Sequence, residues 1–376
     1  MTRTVAADGR STTELRAVVV DDSQFMRTVI ADMLEAESIA VVESASDGAD
    51  GIEAVERHDP DVVTMDLKMP GTDGIEAVEE IMASTPTPIL VLSAHAGDGA
   101  ELTFEAMEKG AVDFFEKPSG EVSVGIKQQQ DALIETVRSV ADADVSAAEA
   151  AAEAAPDRAT AQHATATPST STSTEPRSAY AADPTLVIGS STGGPTVVEG
   201  VLAELPLGAD LRILVVQHMP DGFTGRFAER LDAASEYDVR EASDGDRIGG
   251  GEALVAKGGS HLEVSGYGGG RVRVSLSEGD PVNNVRPAID VTLRTAAAQI
   301  DGPLTAAILT GMGADGAAGV RDVSAAGGTV LAQDEETSAV FGMPQQAIET
   351  GVVDDVRPRE ELAAGVLDAI TTEDHS

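Results

Sequence analysis

The feature that most limits how this chain folds is a break in its patterning. Two long stretches, each alternating short apolar runs with amphipathic segments, are separated by residues 141–184, which contain the run TATPSTSTSTEPRSA. An acidic, Ser/Thr/Pro-rich segment buries too little apolar surface to offset the entropy of ordering it, so it is expected to be a flexible linker. Each flanking stretch must then bury a core of its own. A length of 376 residues is sufficient for two ordinary domains, predicted at 16–140 and 185–370.

In the first stretch, residues 17–20, 41–44, 62–65, 89–92 and 112–115 are apolar runs of strand length. Between them, residues 23–35 repeat at helical spacing, with Phe25, Met26, Val29, Ile30, Met33 and Leu34 on one side. A second helix at 51–57 turns Ile52 and Val55 inward. Strands alternating with helices predict a doubly wound parallel sheet, whose functional residues gather at the C-terminal ends of the strands. The second stretch repeats the pattern, with strands at 186–188, 211–216, 306–309 and 329–332 and helices at 195–205 and 288–300. Residues 246–277 are Gly-rich with short alternating runs, and predict β-hairpins inserted into a mostly parallel α/β domain.

Composition removes several function classes. There is no cysteine, which excludes disulfides, thiolate metal sites and a cysteine nucleophile. Asp and Glu number 65 against 25 Lys and Arg, a formal net charge of −40. Such a chain repels phosphate backbones and anionic lipid, so no nucleic-acid partner is expected. No apolar run is long enough to span a bilayer and residues 1–11 lack the apolar core of a leader, so a cytoplasmic protein without membrane insertion is expected. The basic residues are mostly Arg; the lysines are Lys68, Lys109, Lys117, Lys127 and Lys257. This balance is halophile-like, since high ionic strength screens the self-repulsion. Equal melting temperatures in dilute buffer and molar KCl would contradict that expectation.

Three acids fall at predicted strand ends: Asp21 and Asp22 after the first strand and Asp66 after the third. Ser93 follows the fourth strand, and Lys117 with Pro118 closes the fifth. Converging carboxylates repel one another and call for a cation or a proton. Oxygen ligands of high negative charge suit Mg²⁺, beside which a carboxylate can accept a phosphoryl group, with an ammonium and a hydroxyl to hold its oxygens. Any one of these acids is also a common turn former or cap. Together, VVVDDSQFMR, VVTMDLKMPGTDG, VLSAHA and FFEKP resemble the receiver domain of two-component response regulators over residues 16–140. The resemblance implies a flavodoxin-like five-stranded sheet with Asp66 as phospho-acceptor. It implies Asp21, Asp22, Asp66 and the Lys68 carbonyl around Mg²⁺, and Ser93 and Lys117 as phosphate contacts.

In the second stretch, a predicted strand runs through LVIGSSTGGP into a helix, giving a G-x-S-x-G spacing centred on Ser191. A sharp strand-to-helix turn exposes a serine hydroxyl and aims a helix N-terminus at it. The same string also fits a plain Gly-rich turn. It is not a P-loop, since no Lys follows, and Ser191 takes the place of the second glycine of a dinucleotide fingerprint. A nucleophilic serine needs a base. His58 and His95 lie in the first domain, His163 in the linker and His375 at the C-terminus, which leaves His218 and His261. His218 follows a predicted strand and is favoured on that placement; His261 lies in the hairpin segment. Asp315, in ILTGMGADG after a further strand, is placed to orient the base, and equally to cap the helix that follows. The backbone of residues 311–313 could present N–H groups to an oxyanion.

IGSSTGGP, VVQHMPDGFTGRFAERL, PVNNVRPAIDV, ILTGMGADGAAG and FGMPQQAI, in this order, resemble the catalytic domain of the chemotaxis-specific protein-glutamate methylesterases over residues 185–370. The resemblance implies Ser191 as nucleophile, His218 as general base and Asp315 as its orienting acid. It implies Thr192 as a support for His218 and backbone N–H groups near His218 and Met312 as oxyanion donors. It implies methylated chemotaxis receptors as substrate, a chemotaxis histidine kinase as phosphodonor, deamidation of glutamine as a companion activity, and no cofactor for the esterase. Two rivals fit less well. An α/β-hydrolase orders its triad Ser, acid, His, whereas here His218 precedes Asp315. A DNA-binding output domain should be basic, and this one is acidic and Gly-rich.

Overall fold

The computed structural model describes residues 15–93, 98–117, 125–143, 145 and 180–372. Almost all of the predicted linker, with His95, His163 and His375, lies outside these residues. No helix among the described residues is long and apolar enough to cross a membrane.

The first half carries β1 (Leu15–Val20), α1 (Gln24–Ala36), β2 (Ile39–Ala45), α2 (Gly48–His58), β3 (Val62–Asp66), α3 (Gly74–Ser84), β4 (Ile89–Ser93), α4 (Asp98–Glu108), β5 (Asp113–Glu116) and α5 (Gly125–Ala141). The sheet is parallel throughout, in the order β2-β1-β3-β4-β5. Its central strands are buried on both faces, β3 and β4 along their whole length and β1 over residues 17–20, as a sheet between two helical layers requires. Val18, Val20, Val63 and Met65 join one cluster with Ala54, Val78 and Phe104, whereas Ala17, Val19 and Val62 join another with Ile30, Leu34 and Leu133. That period of two is the strand repeat. Ser23, Asp47 and Asp73 start α1, α2 and α3, each side chain accepting an N–H from the first turn.

The second half carries β6 (Thr185–Ser190), α6 (Gly194–Glu204), β7 (Arg212–Gln217), α7 (Thr224–Ala234), β8 (Asp238–Glu241), β9 (Arg247–Ile248), β10 (Glu252–Val255), β11 (His261–Gly268) and β12 (Arg271–Ser277). Then come α8 (Ile289–Gln299), β13 (Leu304–Ile308), α9 (Ala317–Ala325), β14 (Thr329–Gln333), α10 (Met343–Glu349), β15 (Asp355–Arg357) and α11 (Leu362–Ile370). Seven strands form a parallel sheet in the order β15-β14-β13-β6-β7-β10-β8. The expected hairpin is present: β11 and β12 pair antiparallel, with β9 on the outer side of β12. From the same Gly-rich segment, however, β10 enters the parallel sheet between β7 and β8. Its buried core, Ala253 to Val255, is too short for periodicity to tell a central strand from a hairpin arm. The chain steps from β6 to β7 on one side and later returns to β13 on the other, so a crevice opens at the C-terminal end of β6.

The two halves pack against each other beside that edge. Phe104 of α4 stacks on Phe227 of α7 with ring centres 6.0 Å apart, and Phe114 of β5 lies 4.6 Å from Phe223. Arg230 of α7 sits over the Phe104 ring and pairs with Glu108 at 2.6 Å and Glu199 at 2.8 Å.

Candidate active site

The turn after β6 is set by small residues and internal hydrogen bonds. Gly193 has φ of 73°, the left-handed region that glycine enters without strain. Pro195 opens α6, where a missing N–H costs nothing. Buried Gln217, at the end of β7, accepts from Ser190 Oγ at 2.5 Å and donates from Nε2 to the Ser191 and His218 carbonyls. Thr310, after β13, accepts the Ser191 N–H on its carbonyl at 3.0 Å and donates its hydroxyl to the Thr192 carbonyl at 2.9 Å. The ends of β6, β7 and β13 are thereby locked together around Ser191. A Cβ on Gly311 would lie 2.6 Å from Ser191 Cβ, so the 311–313 turn passes directly over the serine.

His218 is one residue beyond the β6–β7 pair Ser190 and Gln217, and its N–H donates to the Ser190 carbonyl at 3.0 Å. Its Nε2 lies 2.8 Å from Asp315 Oδ2. Asp315 is 2% exposed, and burial by itself would raise its pKa. The hydrogen bond and charge of His218, with the Ile289 N–H and the Asn283 amide, outweigh burial and hold the carboxyl below its ordinary value. An ionised Asp315 takes the proton of His218 on Nε2, which leaves Nδ1 as the basic nitrogen. Ser191 Oγ makes no hydrogen bond to His218 in this arrangement, and the Thr192 hydroxyl bonds Asp113 of β5. Among the described residues no backbone acceptor takes the Met312 N–H, while the N–H of His218 itself is occupied by Ser190. His261, the alternative base, is buried: it accepts the Ala288 N–H on Nδ1 and donates from Nε2 to the Asp280 carbonyl, a structural role in the hairpin region.

The second candidate site lies at the C-terminal edge of the first sheet. Asp21, Asp22 and Asp66 each offer an oxygen within 4.8 Å of the others. Lys117 Nζ is 2.8 Å from both Asp21 Oδ2 and Asp66 Oδ2. Burial raises the pKa of Asp66 against the opposing pull of Lys117. Asp21 Oδ2 is buried and, despite the nearby ammonium, has no partner of hydrogen-bond geometry. An all-oxygen set with such an orphaned oxygen suits a hard divalent cation. The Lys68 N–H donates to Asp66 Oδ1 at 3.3 Å, and buried Ser93 accepts from Thr103 at 3.0 Å.

Gln217, Thr310, Asn283 and Asp290 contribute to the site without having been singled out from sequence; strand-end position was the signal available for the first two.

Comparison with known proteins follows the same division. A family profile described as CheB methylesterase matches residues 186–366, and one described as response regulator receiver domain matches residues 17–124. A protein of Natronomonas pharaonis named protein-glutamate methylesterase/protein-glutamine glutaminase is 74% identical over 359 residues, covering 96% of this chain and 99% of that one. A protein of the same name from Pyrococcus abyssi is 38% identical, covering 95% of this chain and 94% of that one. The crystal structure of the Thermotoga maritima CheB methylesterase catalytic domain is similar at 44% identity and a TM-score of 0.48, covering 50% of this chain and 98% of that one.

Proposed function

This chain belongs to the CheB methylesterase family, and we propose that it hydrolyses glutamate methyl esters, and deamidates glutamines, on chemotaxis receptors under the control of phosphorylation at Asp66. The receiver then spans residues 16–140, the linker 141–184 and the catalytic domain 185–370. The observation that carries the chemistry is the 2.8 Å contact of His218 Nε2 with a buried, ionised Asp315 at the sheet edge where Ser191 stands.

His218 Nδ1 takes the proton of Ser191 as Oγ attacks the γ-carbonyl of the methylated side chain. The Met312 N–H stabilises the tetrahedral oxyanion. The proton passes to the leaving methoxide, methanol departs, and water delivered through the same nitrogen cleaves the acyl-serine to free glutamate. For glutamine the leaving group is ammonia.

Control rests on the packed interface. With β5 and α4 of the receiver against α7, and Asp113 on the Thr192 hydroxyl, the receiver covers the approach to Ser191. Asp21, Asp22 and Asp66 would hold Mg²⁺, with the Lys68 carbonyl, and a chemotaxis histidine kinase would be the phosphodonor. The bound cation would neutralise the charge of the phosphoryl oxygens. Lys117 then exchanges Asp66 for the phosphoryl group, with Ser93 as a second contact, and β5 shifts with Lys117.

The test is release of labelled methanol from receptor membranes carrying radiolabelled methyl esters, in molar KCl, with and without a phosphodonor and Mg²⁺. Ser191→Ala is expected to cost roughly 10⁴–10⁶-fold in rate. Asp66→Asn keeps basal release and loses its stimulation by phosphodonor. Near-full release by Ser191→Ala refutes the proposal.

A further inference from the structure

Asp315 does not cap its own helix. Its Oδ2 accepts the Ile289 N–H at 2.6 Å and its Oδ1 the Asp290 N–H at 3.1 Å, both in the first turn of the neighbouring α8. Reciprocally, Asp290 Oδ1 accepts the Gly316 N–H at 3.0 Å and the Gly319 N–H at 2.7 Å, at the start of α9. Each helix lends a carboxylate to the N-terminus of the other, so the place of Asp315 depends on the packing of the pair.

One side chain touches both carboxylates. Asn283 Nδ2 lies 2.9 Å from Asp290 Oδ2 and 2.8 Å from Asp315 Oδ1. Both partners only accept when ionised, so the nitrogen of the amide must face them and each of its two hydrogens goes to one acid. Asn283 has φ of 54°, a left-handed conformation that Asn, Asp and Gly tolerate best. Its loop is fastened at both ends by His261, through the Asp280 carbonyl and the Ala288 N–H, and by Arg286, which donates to the Glu278 and Gly279 carbonyls.

We infer that Asn283 is a positioning residue of the esterase: its amide holds the Asp290 and Asp315 side chains together, and so fixes the carboxylate that orients His218. The titratable groups facing the amide are Asp290 from α8 and Asp315 from the turn before α9, with His218 beyond Asp315. Without the two donors, charge on the acids is less compensated and the negative potential at His218 deepens. An imidazole in a deeper negative potential holds a proton to higher pH, so the neutral base appears later.

The inference rests on Ser191 chemistry, and the experiment keeps the two apart. The full chain, with phosphodonor and Mg²⁺, is assayed for methanol release across pH as wild type, Ser191→Ala, Asn283→Asp and Asn283→Gly. Asp and Gly both tolerate the left-handed conformation at this position, so each variant is expected to keep the loop and lose the amide; Asp also adds a charge. Asn283→Asp is expected to lower kcat roughly tenfold to a hundredfold, as the loss of a hydrogen bond to a charged group does, with KM little changed. The acid limb of its kcat/KM profile should move up by about one pH unit, the Gly variant by less, in the range of shifts that neighbouring charges cause. Loss at all pH values alike, or profiles matching wild type, overturns the inference. Wild-type release that survives in Ser191→Ala overturns the functional proposal and this inference with it.

Discussion

At His218 the ring is turned so that Nε2 meets Asp315, which in the proposed mechanism leaves Nδ1 to act as base. In that mechanism an amide cannot stand in for the charge of Asp315, because Ile289 N–H, Asp290 N–H and the Asn283 amide already converge on it as donors. Asp315→Asn puts an amide among donors and removes the counter-charge for the imidazolium, and kcat is expected to fall roughly 10⁴-fold. A loss under tenfold in steady-state methanol release would show that the acid is dispensable. Since the pKa of Asp315 is lowered, its contribution to stability is fully present above the ordinary carboxylate value and is lost only as pH falls through its lowered value. Ser191 and His218 were legible in the sequence because each directly follows an apolar strand. Asp315 was legible as an acid at the same edge, but its partnership with α8 was not. Asn283 and Asp290 lie 32 and 25 residues from it in sequence, and no local pattern links them.

At the scale of elements, α8 and α9 form the unit on which the acid depends. At Gly319 they are in close contact: a Cβ there would lie 2.5 Å from Leu293 Cβ and 3.2 Å from Asp290 Cα. Gly319→Ala should force the helices apart and cost about 1–3 kcal/mol, as overpacking does, despite the better helix propensity of Ala. Thermal unfolding in molar KCl checks this, together with a drop in kcat as Asp290 and Asp315 separate. An unchanged melting temperature would mean that the pair has slack. The alternation of strands and helices was readable element by element, since buried parallel strands are continuous apolar runs. The destination of β10 was not, because four residues carry no period that separates a central strand from a hairpin arm.

At the scale of the whole molecule, docking of the two halves is expected to be sensitive to pH through the partly buried Asp113. Burial, against the Thr192 hydroxyl and the Phe114 N–H, pushes its pKa up to about 6 from an ordinary 3.8. If the receiver is released as proposed, Asp113 returns to water and its ordinary value, so the docked form is expected to bind the proton more tightly. Its contribution to docking is full below the ordinary value and is lost as pH rises to about 6. Asp113→Asn, neutral at every pH, is expected to lower basal release by the unphosphorylated enzyme at pH 7 and to enlarge its stimulation by phosphodonor. Basal release equal to wild type at pH 7 would place the control elsewhere. Neither Phe104 nor Phe227 is marked in the sequence as an interface residue, for each also fits the core pattern of its own helix.

Two α/β units were legible in the sequence, with the strand ends at which the candidate residues lie and the residue types available there: one serine turn, two credible histidines and a cluster of acids. These follow from periodicity and turn chemistry, which are local. Not legible there is that Asp315 caps a neighbouring helix, that Asn283 joins it to Asp290, that His261 fastens a loop, and that Thr192 faces Asp113 across the interface. Each of these depends on hydrogen bonds between residues far apart in the chain, and direction and distance in such contacts are fixed only once the helices and sheets have packed.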